Sequence, residues 1–158
     1  MEIWKYRDSL IRIKDGKAEY SFLENGNPHE FSREAFVITQ IPTGLTEEPV
    51  GGIFLRIFRG ESVEKIYRLN GAGTRMKVSE SSLEFEREAE GISCRVTFRP
   101  AGIPDGGEDA SAWIWNVSLT GSGEKCDLVY VQDIGVADRG ALRANVLYQS
   151  QYLGHHVA

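Results

Sequence analysis

The sequence has few cysteines and histidines, the usual ligands of zinc. It contains two cysteines, Cys94 and Cys126, and neither has a second ligand at the short spacing typical of a metal site. We expect both to be buried thiols. The three histidines are His29, which we place in a turn, and His155 and His156, which are too few for a metal site by themselves. We assign no catalytic residue, metal or cofactor to this chain, although a triad assembled in space would not show in the sequence.

Clustered basic charge and long apolar runs are also lacking. The net charge is −5 at pH 7, whereas nucleic acids and anionic membranes attract clusters of Lys and Arg. No segment is apolar over the roughly 20 residues that a membrane helix needs. Charges at Glu2, Lys5, Arg7 and Asp8 interrupt the stretch where a signal peptide has its apolar core. We therefore expect a cytoplasmic protein with no nucleic-acid or membrane partner.

The sequence does contain a period-two alternation of apolar and polar residues, which is typical of half-buried strands. The best example runs from Ser82 to Arg99, with Glu90-Gly91 near its centre as a two-residue hairpin turn. The predicted register pairs Leu83 with Phe98, Phe85 with Val96 and Glu86 with Arg95. Apolar residues then meet on one face and opposite charges on the other.

A second hairpin is predicted around Asp15-Gly16, another two-residue turn signal. Its predicted register pairs Ile11 with Tyr20, Ile13 with Ala18 and Arg12 with Glu19. Further strands are predicted at Ala35 to Gln40, Gly52 to Phe58, Val63 to Leu69, Ala112 to Leu119 and Cys126 to Val131.

These short strands predict an all-β fold, an antiparallel β-sandwich that occupies residues 1–158 as one domain. The 17 glycines agree with frequent turns, and Asn70 to Gly73 reads as one of them. Pro100 to Ser111 reads as an exposed loop. From Gly135 onward the alternation stops, and the segment that follows is compatible with a short helix, an irregular ordered loop, or both in turn.

Alternating glutamates on one predicted strand have the spacing of a paired-carboxylate site. They are Glu84, Glu86, Glu88 and Glu90. Same-face neighbours on a strand are about 6.6 Å apart, close to the roughly 6.5–9.5 Å between the carboxyls of an inverting glycosidase. A catalytic acid needs a desolvated site to raise its pKa, whereas this row faces Arg95 and Arg99. We interpret the row as a solvated strand face.

Two tryptophans, Trp113 and Trp115, lie on the same predicted strand face as Val117 and Leu119. Continuity with aliphatic residues favours core packing, and a sugar-binding platform is the alternative.

The closing stretch from Val129 to His155 resembles a motif of large glycoside phosphorylases. In the oligoglucan branch of this group the motif tends to read Gln-Asp-x-Gly-x-Ala-Asp, then Asn, then Tyr-x-Ser-Gln-Tyr followed by a His. The matching residues here are Gln132, Asp133, Gly135, Ala137, Asp138, Asn145, Tyr148, Ser150, Gln151, Tyr152 and His155. The family is glycoside hydrolase family ninety-four, formerly glycosyltransferase family thirty-six. It includes cellobiose and chitobiose phosphorylases, β-1,2-oligoglucan phosphorylases and part of the cyclic β-1,2-glucan synthases. A weaker similarity covers Arg33 to Thr39.

The resemblance implies a galactose-mutarotase-like β-supersandwich at the N-terminus of a longer enzyme, with residues 1–158 as a fragment. In that family an (α/α)6 barrel carries the general acid and the phosphate site. Inorganic phosphate there replaces the activated water of an inverting reaction. The implied partner is therefore the barrel domain of the same polypeptide, and the implied co-substrate of the parent enzyme is inorganic phosphate. A homodimeric parent stays open.

Eight residues of this stretch are candidates for contact with substrate or with the rest of the enzyme. They are Gln132, Asp133, Asp138, Asn145, Tyr148, Gln151, Tyr152 and His155. Their mixed aromatic and polar character is typical of a docking surface. A last sheet edge that only supports the sandwich is an equally weighted interpretation.

The leading hypothesis is a non-catalytic N-terminal β-sandwich module of a phosphorylase acting on β-glucooligosaccharides. Its role would be domain organisation and substrate positioning. The alternative is a free-standing carbohydrate-binding sandwich that uses Trp113, Trp115 or the tyrosine-rich tail for an oligosaccharide. A self-contained hydrolase is a third, less favoured hypothesis.

Overall fold

The computed structural model describes residues 10–39, 48–101, 112–121, 125–132, 134–135 and 137–144. Within them the chain forms short strands and one helix of six residues. The elements are β1 (Ile11–Asp15), β2 (Ala18–Phe22), β3 (Pro28–Arg33), β4 (Phe36–Val37), β5 (Gly52–Arg59), β6 (Ser62–Arg68), β7 (Arg75–Val78), β8 (Leu83–Ala89), β9 (Ile92–Ala101), β10 (Ala112–Thr120), β11 (Cys126–Val131), β12 (Ala137–Asp138) and α1 (Arg139–Ala144). The predicted all-β fold is confirmed.

The strands form three antiparallel sheets that share one core. Their orders are β1-β2-β3-β4-β12, β10-β9-β8-β7 and β11-β5-β6. Apolar side chains from all three sheets meet in a single buried cluster that includes Tyr20, Leu55 and Phe98. Sheet faces packed on a common apolar core are the arrangement of an antiparallel sandwich.

Aromatic rings hold two of these sheets together. The ring centroid of Phe98 in β9 lies 4.9 Å from Phe22, 5.3 Å from Tyr20, 5.5 Å from Phe31 and 4.8 Å from Trp115. Most of these pairs are edge-to-face, the geometry that aromatic quadrupoles favour. Because Phe22 and Phe31 belong to the first sheet and Phe98 to the second, the contacts bridge the two layers.

The β8–β9 hairpin has the predicted register. Leu83 pairs with Phe98, Phe85 with Val96, and Glu86 with Arg95. The two turn residues both have positive φ, 51° at Glu90 and 77° at Gly91. That combination defines a type I′ turn, whose twist matches the flanking strands.

The predicted register of β1 and β2 is wrong by two residues. Ile13 pairs with Tyr20 rather than with Ala18, and Asp15 pairs with Ala18. The two-residue turn is Gly16-Lys17, with glycine at its first central position and a φ of 55°, as in type II′ turns. A shift of two residues keeps every side chain on its predicted face.

Four other predicted strands correspond to β5, β6, β10 and β11, with ends that differ by at most one residue. The strand predicted from Ala35 to Gln40 is confined to Phe36–Val37, and Gln40 lies outside the described residues. Pro100 and Ala101, predicted as loop, extend β9, and the rest of that predicted loop lies outside the described residues.

Strands β3, β7 and β12 were not predicted from the sequence. His29, predicted in a turn, lies in β3, where neighbouring Pro28 and Glu30 give no period-two pattern. Strand β7 (Arg75–Val78) alternates polar and apolar residues over only four positions, and β12 has two residues, so neither pattern is long enough to identify a strand.

The cysteines are both free thiols, as predicted, but differ in burial. Cys94 is buried, and burial raises the pKa of its thiol. Cys126 is only half-buried, because it lies in the edge strand β11. In the described part of the chain, no helix has the length and apolar character needed to cross a membrane.

Candidate functional site

A groove lies between β10 and β11, the edge strands of two sheets. We call it the β10–β11 groove. Its volume is about 360 Å³, and its walls are mainly apolar. The lining residues are Ile53, Trp113, Trp115, Val117, Leu128, Val129 and Tyr130. A mainly apolar cleft with a few polar groups is the usual form of a small-molecule site.

The two tryptophans of the groove also pack on the core. The Trp113 ring lies 5.3 Å from that of Phe31, and the Trp115 ring lies 4.8 Å from that of Phe98. Both side chains remain partly exposed. The interpretation as core packing is confirmed for one side of each ring, while the other side is available to line the groove.

A small cavity adjoins the groove and shares Trp115 and Tyr130 with it. We call it the Asn70 cavity; its volume is about 20 Å³. It is lined by Pro28, His29, Phe31, Thr39, Pro49, Val50, Gly51, Gly52, Asn70, Trp115, Tyr130 and Gln132. The cavity lies near the surface, since Val50 and Tyr130 are 65% and 50% exposed.

Two buried hydrogen-bond donors belong to residues that line this cavity. Asn70 is 1% exposed, and its Oδ1 accepts a 2.8 Å hydrogen bond from the backbone N–H of Ile53. Its Nδ2 and the indole Nε1 of Trp115 are buried and have no partner among the described residues. Because the Oδ1 contact fixes the amide orientation, the Nδ2 group is held as a donor.

Among the described candidate residues, Gln132 lines this cavity and Asp138 does not. Gln132 directly follows β11 and lines the cavity together with Tyr130. The Tyr130 hydroxyl donates a hydrogen bond to Gln132 Oε1. The hydrogen bond orients the amide of Gln132 beside the Asn70 cavity.

Asp138, a second motif residue, has a structural role in this fold. It ends β12, and its Oδ1 accepts a 3.0 Å hydrogen bond from the backbone N–H of Ala141. An acceptor in this position caps the first turn of a helix. The neighbouring Arg139 lies 3.0 Å from Glu30 Oε1 and donates a 2.5 Å hydrogen bond to Ser32 Oγ. The start of α1 is therefore fixed to β3.

Backbone hydrogen bonds attach the same motif segment to the first sheet. Gly135 N–H donates to Ile38 C=O at 2.7 Å, and Arg139 N–H donates to Ala35 C=O at 2.6 Å. Residues 134–135 and 137–139 therefore lie along β4.

The SOGP N-terminal domain family matches residues 21–158 of the chain. The chain belongs to this family. A relative, 1,2-beta-oligoglucan phosphorylase from Listeria innocua serovar 6a, is 28% identical over 151 residues, which cover 94% of this chain and 13% of the relative. The chain thus spans about an eighth of the relative's length. These findings confirm the predicted relation to the N-terminal region of family ninety-four phosphorylases.

Six of the eight candidate residues of this SOGP N-terminal domain lie outside the described residues. They are Asp133, Asn145, Tyr148, Gln151, Tyr152 and His155. For these the predicted contact role stays a prediction. Among the described candidates, the structure brings Gln132 to the cavity and uses Asp138 as a helix cap.

Two glutamates of the predicted row, Glu84 and Glu86 in β8, lie close to cations. Lys77 Nζ lies 3.2 Å from Glu84 Oε1 and 3.1 Å from Glu86 Oε1, and Arg95 lies 3.3 Å from Glu86. The hydrogen bond from Lys77, followed by weaker contributions that include Arg95, lowers the pKa of Glu86. A general acid at neutral pH needs a raised pKa. The interpretation of this row as a solvated charged face therefore agrees with the structure.

Sequence reasoning missed Asn70, the most buried polar residue of the cavity. An asparagine before a glycine is read as a turn residue, and the Asn70 to Gly73 segment does form a turn. No local feature of the sequence indicates that the Asn70 side chain is buried. Across the described ranges, no group of three or more His, Cys, Asp or Glu residues is arranged to hold a metal ion.

Proposed function

We propose that the chain is a non-catalytic N-terminal β-sandwich module of a phosphorylase that acts on β-glucooligosaccharides by inverting phosphorolysis. One observation carries the proposal: the match to 1,2-beta-oligoglucan phosphorylase covers 94% of this chain but 13% of that enzyme. The catalytic partner in this proposal is an (α/α)6 barrel of the same polypeptide, with inorganic phosphate as its co-substrate. A cytoplasmic location and an open choice between monomer and homodimer belong to the same proposal.

The charges of the described residues support a non-catalytic role. Glu86 and Glu90 both have lowered pKa values, caused first by hydrogen bonds from Lys77 and Lys65. Carboxyls with lowered pKa values stay ionised and are poor proton donors at neutral pH. The module therefore contributes organisation and positioning, and the barrel contributes the chemistry.

The segment that begins at Gln132 supports a positioning role. Its described parts are hydrogen-bonded to β4 and capped by Asp138, so they present a rigid surface. Contacts held on a rigid scaffold lose less entropy on binding. In this proposal the eight candidate residues contact the barrel or the substrate; six of them lie outside the described residues.

A second candidate function, a free-standing carbohydrate-binding module, is favoured by the β10–β11 groove. Trp113, Trp115 and Tyr130 line it, and the donors of the Asn70 cavity adjoin it. Aromatic faces with adjacent hydrogen-bond donors suit the apolar and polar parts of a sugar ring.

A chimera tests the module directly. This chain would replace the matching segment of the Listeria innocua enzyme, and phosphate-dependent release of sugar phosphate would be measured. We expect the chimera to keep activity and the isolated chain to have none. An unrelated β-sandwich of similar length in the same position is the matched control and should abolish activity. Phosphorolysis by the isolated chain at a rate near that of an intact enzyme would contradict the proposal.

Calorimetric titration separates the two candidate functions. The folded chain would be titrated with β-1,2-linked and β-1,4-linked glucooligosaccharides at concentrations that detect millimolar affinity. Saturable binding by the chain, together with an inactive chimera, would favour the free-standing module. An active chimera without binding heat would assign the chain to domain organisation alone.

A further inference from the structure

Two residues that line the Asn70 cavity each carry a buried hydrogen-bond donor without a described partner. Asn70 Nδ2 and Trp115 Nε1 are buried without a partner among the described residues. Buried polar groups in folded proteins are hydrogen-bonded in the large majority of cases, and an exception calls for a missing partner. Two such exceptions in residues that line one cavity point to a shared partner.

The size of the cavity limits that partner to a single oxygen atom with its hydrogens. Its volume of about 20 Å³ exceeds the roughly 10–15 Å³ that one water molecule needs. Larger groups would have to extend out of the cavity toward the groove. Thr39 and Gln132 add further polar groups to the lining, and a buried water commonly has two to four polar partners.

The chemistry of the lining defines the kind of oxygen. An indole N–H and an amide NH₂ only donate, so the partner must accept both hydrogen bonds. The lining residues that the structure describes include no lysine or arginine. Arg68, beside the cavity, already donates hydrogen bonds to the carbonyl oxygens of Pro49, Gly51 and Asn70 and lies 3.6 Å from Glu48. A buried anion would therefore have no cation of its own to compensate its charge, so the partner is a neutral oxygen.

We infer that the Asn70 cavity binds one neutral hydroxyl-type oxygen that accepts hydrogen bonds from Asn70 Nδ2 and Trp115 Nε1. The oxygen belongs either to a water molecule or to a carbohydrate hydroxyl that enters from the β10–β11 groove. The water form is independent of the proposed function. The alternative in which the oxygen is a carbohydrate hydroxyl rests on the proposed function, and it would make the β10–β11 groove the sugar-binding site of the module.

Nuclear magnetic resonance of the ¹⁵N-labelled chain tests the inference. In the free protein, direct dipolar contacts with water should appear at the indole N–H of Trp115 and at the side-chain amide of Asn70. A β-1,2-linked glucobiose is then added. If the oxygen is a sugar hydroxyl, the water contacts disappear and the Trp115 indole resonance shifts; if it is water, they persist. A Trp115 indole proton that is protected from exchange, but shows neither water contact nor response to sugar, would overturn the inference.

Matched variants test whether the two donors share one oxygen. Trp115→Phe keeps an aromatic ring but removes one donor, so the water contact at the Asn70 amide should be lost. Trp113→Phe changes the neighbouring same-face tryptophan, which does not line the cavity, and should leave that contact intact. Equal effects of the two variants would contradict a shared oxygen. If Trp115→Phe does not fold, the wild-type spectra are combined with those of Asn70→Asp. That variant keeps the Oδ1 acceptor but removes the amide donor, so a shared oxygen predicts a change in the water contact at the Trp115 indole.

The oxygen site and the proposed function can fail separately. An inactive chimera would leave the water contacts of the isolated chain unchanged. A dry cavity would overturn the oxygen site but would not affect the phosphorolysis of the chimera.

Discussion

Replacing Phe98 with alanine should remove the centre of the aromatic core. Phe98 is fully buried, and its ring contacts four others from β2, β3 and β10 at centroid distances of 4.8 to 5.5 Å. A buried Phe→Ala change costs about 3–5 kcal/mol through lost burial and the cavity left behind. Edge-to-face partners add about 0.5–1.5 kcal/mol per pair beyond area burial. We expect a loss near 4–5 kcal/mol, a large share of the roughly 5–15 kcal/mol typical of a domain.

Urea unfolding followed by tryptophan fluorescence measures this loss. Phe36→Ala is the matched control, because Phe36 is 55% exposed in the short strand β4, and it should cost under about 1 kcal/mol. A Phe98→Ala loss below about 2 kcal/mol, under the usual range for a buried phenylalanine, would refute the role of Phe98 as the bridge between the sheets. An unfolded Phe98→Ala protein beside a folded control would agree with it.

Three further tests, two of them with a paired control substitution, address local features of the fold. Gly26 has a φ of +83°, and an added Cβ would lie 2.7 Å from the ring of Phe85. Gly26→Ala should therefore lower the free energy of unfolding, measured in urea, by about 2–5 kcal/mol through left-handed strain and overpacking. Gly91→Ala, at φ +77° in open space, should cost about 1–2 kcal/mol, and equal losses would contradict the packing argument. The hydrogen bond from Arg56 lowers the pKa of Asp127 in the folded state. The stabilisation that this ion pair gives the folded protein is therefore complete above the unfolded pKa of about 3.9. It is lost as the pH falls through the lower pKa of the folded state. Asp127→Asn should therefore reduce the acid dependence of unfolding, and an unchanged dependence would exclude the pair as a contributor. Asp138→Ala should speed hydrogen exchange in the first turn of α1 through a loss of about 1 kcal/mol, whereas Asp138→Asn should retain the cap; equal exchange in both variants would argue against capping.

The β8–β9 hairpin shows when sequence alone fixes a register. The turn signal at Glu90-Gly91 and the alternation on either side require the same pairing, and the structure has it. In β1 and β2 the alternation only required that Ile13 and Tyr20 face the core, which two registers satisfy. The choice between them depended on the conformation of Gly16 in the turn.

Strand β3 shows where local signals fail. The sequence Pro28-His29-Glu30 lacks an apolar face, yet it pairs with β2 because the following Phe31 is buried against Phe98 and Tyr20. A strand of this kind is stabilised by its neighbours rather than by its own pattern.

The sequence by itself determined the fold class, the best hairpin, the charged face of the glutamate row and the family relation. These follow from alternation, turn chemistry and a contiguous motif, all of which are local along the chain. The β10–β11 groove and the Asn70 cavity were decided only by the tertiary structure. They bring together Ile53, Asn70, Trp115 and Gln132 from separate strands and a turn. Residues so far apart in sequence meet only when sheets pack, and the direction of each side chain is then set by burial and hydrogen bonding rather than by its neighbours along the chain.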